Sequence, residues 1–566
     1  MSYRAPLGDF TFVLRHVAEF AAVAATPRFA EATEETVQAV LAEAARLTEE
    51  EIAPLQRPGD RHPARLENGV VRTPPGFAEA WRTVAEGGWL GLAAQPASGG
   101  MGLPMAVATC VNEMMAGACL SFQIGPLLSQ GQIEALEHHA DDRLKALALP
   151  RLVSGAWSGT MNLTEPQAGS DVGALTTRAE PAPDGSFRLT GQKIYISWGD
   201  NDFTANVSHL VLARLPDAPP GARGISLFLV PRHHPGTGAP NGVRTLGLEH
   251  KLGLHGSPTA TLAYEGATGW IVGAPHGGLR AMFTMMNNAR LGVGVQGVGV
   301  AEAALQQALA HAAARVQGPT PPGREAAILG HSDVRRMLAV MRAEVFAARS
   351  IALMTAVATD MATATGDPAW AARAGVLTPV AKAFGTDTGV AVAGMAMQVQ
   401  GGAAYVEDTG AAQYLRDVRV TTIYEGTNGI QAMDLVGRKL ADGGAALRAL
   451  LASLDLSGPA ALAAPLAGAV AAVGEATEAL CATAPEGRGA GAAACLRAVA
   501  RVLGGAAHLA AARAEGRAGP RSALAAVYMR RLLPETAALC AEAMAGEDDL
   551  AALDAAALSG GVGAAA

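Results

Sequence analysis

The order of textures along the chain constrains its fold more than any single motif. From about Phe29 to Leu152 the pattern is helical: Glu34 to Glu50 is rich in Ala, Glu and Leu with apolar residues three and four apart, and Phe77 to Gly88 and Ala106 to Ala118 behave alike. From Trp157 to about Val272 short β-type runs take over, at Thr176 to Glu180, Phe187 to Leu189, Lys193 to Ser197, His209 to Ala213, Ile225 to Val230 and Thr259 to Tyr264. Pro-Asp-Gly, Trp-Gly-Asp-Asn and Pro-Gly turns separate them. Helix returns from Gly278 to Leu440, where Arg290 to Ala314, Ser332 to Thr365 and Leu377 to Met397 are each long enough for several turns. After Asp442, Ala makes up more than a third of the residues. This order predicts an α+β fold. It has an N-terminal extension (1–33), a helical domain (34–155), a central antiparallel β-barrel or sandwich (156–275), a helical bundle (276–441) and an Ala-rich helical domain (442–566).

Composition narrows the function. The 566 residues carry 43 basic and 51 acidic side chains, a formal charge of −8, which argues against a nucleic-acid binder. Cys110, Cys119, Cys481, Cys495 and Cys540 form no CxxC pair and no Cys/His cluster. This predicts buried thiols in a reduced, cytoplasmic protein without a metal site. The start, MSYRAPLGDF, has no apolar core behind a basic end, so no signal peptide is expected there. The uncharged run Leu456 to Gly474 could span a membrane by length. It is mostly Ala and Gly and carries Pro459 and Pro465, so it reads as a soluble helix with a turn and no stable membrane insertion.

Five stretches could carry chemistry. In Met161-Asn162-Leu163-Thr164-Glu165-Pro166-Gln167-Ala168-Gly169-Ser170-Asp171 a β-run ends in a loop whose Gly169 admits a ligand to the backbone, and whose Thr164 and Ser170 offer hydroxyls. An ordinary strand-to-strand loop looks the same. In Gly191-Gln192-Lys193-Ile194-Tyr195-Ile196-Ser197 a strand carries an aromatic and a hydroxyl at alternate positions, suited to a flat heterocycle or simply to a core Tyr. Arg416 to Asn428 places Glu425 between an aromatic and a Gly, ahead of a helix that Thr427 or Asn428 would cap. Desolvation there would raise the carboxyl pKa and make a better base; the plainer alternative is a Glu that complements the helix dipole. Gln398-Val399-Gln400-Gly401-Gly402 closes a helix as a C-capping pair, and Asn287-Asn288-Ala289-Arg290 reads as a capped helix start with a surface Arg.

Taken together, Thr164-Glu165-Pro166 with Gly169-Ser170-Asp171, then Gly191-Gln192-Lys193, then Ile423-Tyr424-Glu425-Gly426-Thr427, resemble the acyl-CoA dehydrogenase family in order and spacing, over about Glu34 to Leu440. Glu249 to Ser257 and Ala281 to Asn288 resemble its 3-methylmercaptopropionyl-CoA dehydrogenase subgroup, with a C-terminal helical extension. The resemblance implies noncovalent FAD as hydride acceptor, an acyl-CoA substrate and Glu425 as the base for the α-proton. It implies that the Glu425 amide and a flavin ribityl hydroxyl hold the developing enolate oxygen. Thr164 and Ser197 would bond the flavin ring edge, with Tyr195 against its face. Arg315 would reach a flavin phosphate of the neighbouring subunit, Gln398 and Gly402 the adenylate end, and Thr427 the pyrophosphate. Asn287 and Arg290 would line the acyl-CoA channel, and Ser170 would sit near the acyl-CoA or the flavin pyrophosphate. An electron-transfer flavoprotein would accept the electrons, and the shared cofactor implies a homodimer or homotetramer.

Departures from the family pattern are informative. Tyr195 and Ser197 stand where many relatives have Trp and Thr, and keep the aromatic face and hydroxyl. Val316-Gln317-Gly318-Pro319 and Gly429 replace other flavin-contacting residues. Ala289 occupies the place of an alternative Glu base in branched-chain members, which leaves Glu425 alone. The resemblance leaves two rivals: a general fatty acyl-CoA dehydrogenase, and an alkylation-response-type flavoprotein that binds nucleic acid. The second should show a basic helical patch, and the tail has only scattered Arg.

Overall fold

The computed structural model describes residues 3–516 and 519–559; the outermost ends of the first and last predicted domains, 1–2 and 560–566, lie outside them. Four long helices form the frame: α1 (Met105–His139), α2 (Gly278–Ala314), α3 (Ser332–Thr365) and α4 (Pro368–Gln400). The bundle predicted for 276–441 is α2, α3 and α4, with the short helix Ala411–Val418 packed on α2 and α4. Helix α1 breaks at Cys119 (φ −158°, ψ 98°), so its first segment ends at Ala118 as the apolar pattern does.

Glycines set how closely these helices cross. A Cβ at Gly294 would lie 2.7 Å from the Ala381 carbonyl, and one at Gly297 would run into the Gly385 carbonyl. Helices α2 and α4 therefore meet backbone to backbone, which brings Arg290 on α2 and Lys382 on α4 to the same place. Gly297→Ala is expected to cost about 1–3 kcal/mol by overpacking, read as a lower denaturant midpoint with an unchanged m-value.

The central domain holds strands β3 (Trp157–Asn162), β4 (Arg178–Pro181), β5 (Phe187–Ser197), β6 (Asn206–Arg214), β7 (Ile225–Pro231), β8 (Val243–Leu248) and β9 (Thr259–Val272). The ring β4-β5-β9-β7-β6 closes on itself, with β3 added to β6 and β8 to β9. It wraps a separate small core that includes Leu189, Phe228, Leu262 and Tyr264. The expected antiparallel pairing holds except that both β3 and β4 run parallel to β6. The long loop and helical turn between β3 and β4 let the chain re-enter the sheet in that sense. The two runs Phe187–Leu189 and Lys193–Ser197 are one strand, interrupted by register shifts rather than by a turn. An unforeseen hairpin, β1 (Arg65–Glu67) with β2 (Val70–Arg72), lies within the helical domain around the Asn68-Gly69 turn.

In the tail, Ala460–Ala482, Ala492–Glu515, Pro520–Arg531 and Glu535–Ala543 pack together, and Ala492–Glu515 and Pro520–Arg531 lie on α3. Pro459 marks the expected turn, but Pro465 lies inside the helix as its sixth residue, where it removes one backbone hydrogen bond. Among the described residues, three helices (Met105–His139, Ala460–Ala482 and Ala492–Glu515) are long and apolar enough to cross a membrane. Two are mostly buried in the fold and Ala460–Ala482 is mostly exposed.

A buried charge cluster joins the extensions to the frame. Arg349 on α3, fully buried, pairs with Glu113 on α1 (2.6 Å), Glu302 on α2 (2.9 Å) and Asp9 (3.1 Å). Arg342 and Arg521 each reach Asp9 at 2.8 Å. Asp9 belongs to the helix Leu7–His16 and Arg521 to the tail helix Pro520–Arg531, so these two helices are tied to the frame through one carboxylate.

Candidate active site

Glu425 sits in a two-residue left-handed turn, with φ 57° at Glu425 and 81° at Gly426. The helix Asn428–Met433 follows, and Thr427 caps it by accepting from the Ile430 amide (3.2 Å). Glu425 therefore lies before the cap and is not needed to complement the helix end. Burial pushes its carboxyl up to about 7, against the pull of Arg290 and Lys382. Arg290 is buried, and its Nε has no hydrogen-bond partner. Burial lowers its pKa, opposed by Asp434 and Glu425, and its guanidinium lies 5.9 Å from the Phe283 ring centre. Arg290 is thus well inside α2, not at a helix start: α2 begins at Gly278, because the Met-rich run Ala281–Met286 is itself helical. A buried guanidinium with an unpaired nitrogen beside a carboxylate is a place prepared for a polar ligand.

Tyr424 ties the turn to the core. Its hydroxyl donates to Gln296 on α2, which donates to Gln123 on α1 (2.7 Å), which donates to Asn112 (3.2 Å), which donates to Gln130 (2.9 Å). Each amide is fixed by the next, so the chain has one donor direction and one geometry.

The two β-domain motifs meet. The Ile194 amide donates to the Thr164 carbonyl (2.9 Å). The Glu165 carboxylate accepts from Lys193 (2.8 Å), Gln167, and the amides and hydroxyls of Thr176 and Thr177. Burial works against this charge, but Lys193 and these donors outweigh it and hold Glu165 at about 2. Glu165 and Lys193 are structural bolts between the motifs, a role the sequence did not reveal. The extra residue of β5 between Lys193 and Ile196 throws Tyr195 outward at φ 59°, leaving it 61% exposed, with Ser197 half-buried two residues on and Thr164, half-buried, bonded through its carbonyl to the neighbouring Ile194 amide. An exposed aromatic on a barrel rim beside two hydroxyls fits a flat heterocycle with polar edges, as flavin requires. Ser170 is exposed on the following loop, where Asp171 caps a short helical turn.

The other expected contacts lie on open surface. Arg315 at the end of α2 is exposed and bonds Gln317 (3.1 Å). Gln398 and Gly402 are exposed at the end of α4, where Gly401 (φ 67°) is the C-cap. Asn287 is exposed, whereas Asn288 donates to Glu134 (2.6 Å). Asn288 borders a separate cavity of about 100 Å³ that Gln130, Glu134 and Asp360 also line. The structure thus brings Glu425, Arg290 and Tyr424 together, and separately Thr164 with the Tyr195–Ser197 strand. Lys382 and Gln296 were missed. The signal for both was a lone polar residue in an apolar helical run.

Residues 15–156, 160–267 and 276–440 match the N-terminal, middle and C-terminal domains of acyl-CoA dehydrogenase in turn. The chain belongs to the acyl-CoA dehydrogenase family. It is an FAD-dependent oxidoreductase. It is 45% identical over 459 residues to 3-methylmercaptopropionyl-CoA dehydrogenase of Ruegeria pomeroyi, covering 79% of this chain and 78% of that one. Two solved structures share the fold. Caenorhabditis elegans ACDH-11 in complex with C11-CoA gives a TM-score of 0.79 at 22% identity, covering 94% of this chain and 91% of that one. An acyl-CoA dehydrogenase complexed with FAD from Bacillus anthracis gives 0.74 at 20% identity, covering 92% and 89%. Both alignments extend over the tail that this acyl-CoA dehydrogenase carries beyond the three family domains.

Proposed function

We propose that this acyl-CoA dehydrogenase acts on a short acyl-CoA thioester, 3-(methylthio)propanoyl-CoA or a fatty acyl-CoA of similar size, and forms the trans-2-enoyl-CoA. Its likeness to the Ruegeria enzyme supports the substrate class. The observation that carries the mechanism is Glu425, a carboxyl raised to about 7 by burial and faced by two cations. Glu425 takes the α-proton, and its carboxylate form predominates above that pH. Arg290 and Tyr424 shape the space around the base, and the Gln296–Gln123 amides keep Tyr424 from rotating. Thr164, Tyr195 and Ser197, with Thr427 at the phosphates, would hold FAD, which when bound would supply the acceptor for the β-hydrogen. Arg315, Gln398 and Gly402 serve a cofactor shared across subunits, so the working form is a homodimer or a tetramer built from it. An electron-transfer flavoprotein takes the electrons, and the site of action is the cytoplasm.

A panel of acyl-CoA thioesters with a dye electron acceptor tests this. The methylthiopropanoyl and butanoyl esters are expected to turn over at least about tenfold faster, as kcat/KM, than a 12-carbon ester, the order of discrimination that a few methylenes provide. Preference for the 12-carbon ester would overturn the short-chain assignment.

A further inference from the structure

The turn that presents Glu425 is unfavourable backbone for a residue with a side chain, and such a turn persists only when its surroundings over-determine it. Two side chains hold its carbonyls. Gln431 Nε2 lies 3.3 Å from both the Glu425 and Gly426 oxygens. Lys382 Nζ donates to the Gly426 oxygen and to Asn428 Oδ1, each at 2.9 Å. Asn428 in turn donates to Thr386 Oγ1 (3.0 Å) and Asp387 Oδ1 (2.8 Å), closing a frame between α4 and the turn. The Lys382 side chain is fully buried. A neutral donor could bond a carbonyl at less desolvation cost, so a buried ammonium here is explained only if its charge is used.

We propose that Lys382 is a positioning residue of the dehydrogenase: its ammonium clamps the Glu425–Gly426 turn against α4 and supplies one of the two positive charges that face the Glu425 carboxylate. This rests on the reading of Glu425 as base. The groups facing Glu425 are Arg290 from α2, Lys382 from α4 and Tyr424 from its own segment. Asp387 faces Lys382 from α4, with Arg419 and Arg497 beyond it. Asp434 and Arg438 flank Arg290. Burial favours the protonated acid, and the two cations oppose it. Burial lowers Lys382 itself to about 8, so its charge acts on Glu425 below that pH; removing it leaves Arg290 alone against burial there, and the Glu425 pKa rises.

The test uses FAD-loaded parent, Lys382→Gln and Lys382→Met. Gln keeps a donor for the Gly426 oxygen and loses the charge; Met loses both. Anaerobic flavin reduction by butanoyl-CoA is followed against pH. In the parent the rate is expected to fall as pH drops through about 7. In both variants this acid limb is expected to move up by about one pH unit. The rate on the alkaline plateau should fall further in the Met variant, by about 10- to 100-fold, because the base is also displaced. Infrared spectra supply a readout independent of turnover. The protonated carboxyl band that disappears in Glu425→Gln should titrate at higher pH in both Lys382 variants. An acid limb and a carboxyl band unmoved in Lys382→Gln overturn the proposal, whether or not Lys382→Met folds. If Glu425→Gln reduces flavin as fast as the parent, the base assignment fails instead, and the carboxyl band still decides whether Lys382 sets the charge at Glu425.

Discussion

Replacing Glu425 by Gln is expected to abolish turnover, by at least about 10²–10⁴-fold, while FAD content and acyl-CoA affinity stay near those of the parent. Gln keeps the side-chain shape and the backbone amide but cannot accept the α-proton. No neighbour can substitute: Ala289 is buried and apolar, and the groups facing Glu425 are cations and a phenol raised far above neutrality. A Glu that only served the helix dipole would cost roughly 0.3–1 kcal/mol of stability on replacement and leave activity intact, but Thr427 already caps that helix. Stability should move the other way. The folded pKa of about 7 lies above the unfolded value, so this carboxyl favours the fold at low pH. That contribution is lost as pH rises from the unfolded value through about 7. Above that pH the parent holds a half-buried charge that Glu425→Gln lacks, and the variant should melt at the same temperature or higher. Anaerobic flavin bleaching on adding acyl-CoA, beside melting curves at pH 8, measures both; rapid bleaching by the variant would remove Glu425 from the mechanism.

What could be read in the sequence follows the range of the forces involved. Ser332–Thr365 is a helix over the range its spacing predicts, because helical periodicity is local. Glu425 was legible because Tyr424, Gly426 and Thr427 mark a turn before a cap. The β-domain shows where local reasoning ends. Val243–Leu248 has an exposed, mixed pattern and pairs only as an addition to β9, and the Gly191–Ser197 stretch owes its exposed Tyr195 to a register shift against that same strand. Neither the parallel pairing of β3 with β6 nor the closing of the ring is written in any one segment. Lys382 and Gln296 were passed over for a related reason. Each is a single polar residue in a helix whose neighbours read as core, and its meaning comes from a turn or helix far along the chain. Arg290 looked like a surface residue at a helix start, because nothing local shows that Gly294 and Gly297 draw α4 over it.

The largest stability effect is expected at Arg349. Arg349→Met keeps most of the side-chain length and removes the guanidinium that Glu113, Glu302 and Asp9 share. Breaking a buried pair in this way costs about 3–5 kcal/mol, because the remaining charge is left without a partner. Here three carboxylates lose one cation, and only Arg342 and Arg521 remain beside them. The loss should depend on pH with a definite sign. Burial acts to raise all three carboxyls. The arginines outweigh it for Asp9 and Glu302, which lie below the usual range, while Glu113, pressed also by Glu302 and Asp9, stands at about 7. The Asp9 and Glu302 contributions are present above their unfolded pKa values and fade as pH falls through the folded ones. Without Arg349 all three folded pKa values rise, so the variant takes up more protons on folding than the parent, in which Glu113 alone of the three is raised. Its deficit should therefore be greatest near pH 8 and shrink toward pH 5, as the carboxylates protonate. Because Asp9 and Arg521 meet at this cluster, the N-terminal helix and the tail should loosen together, seen as faster amide exchange in Leu7–His16 and Pro520–Arg531. A deficit that stayed the same from pH 5 to pH 8 would mean that lost packing around Phe10, whose ring lies 5.1 Å from the guanidinium, outweighs the charge.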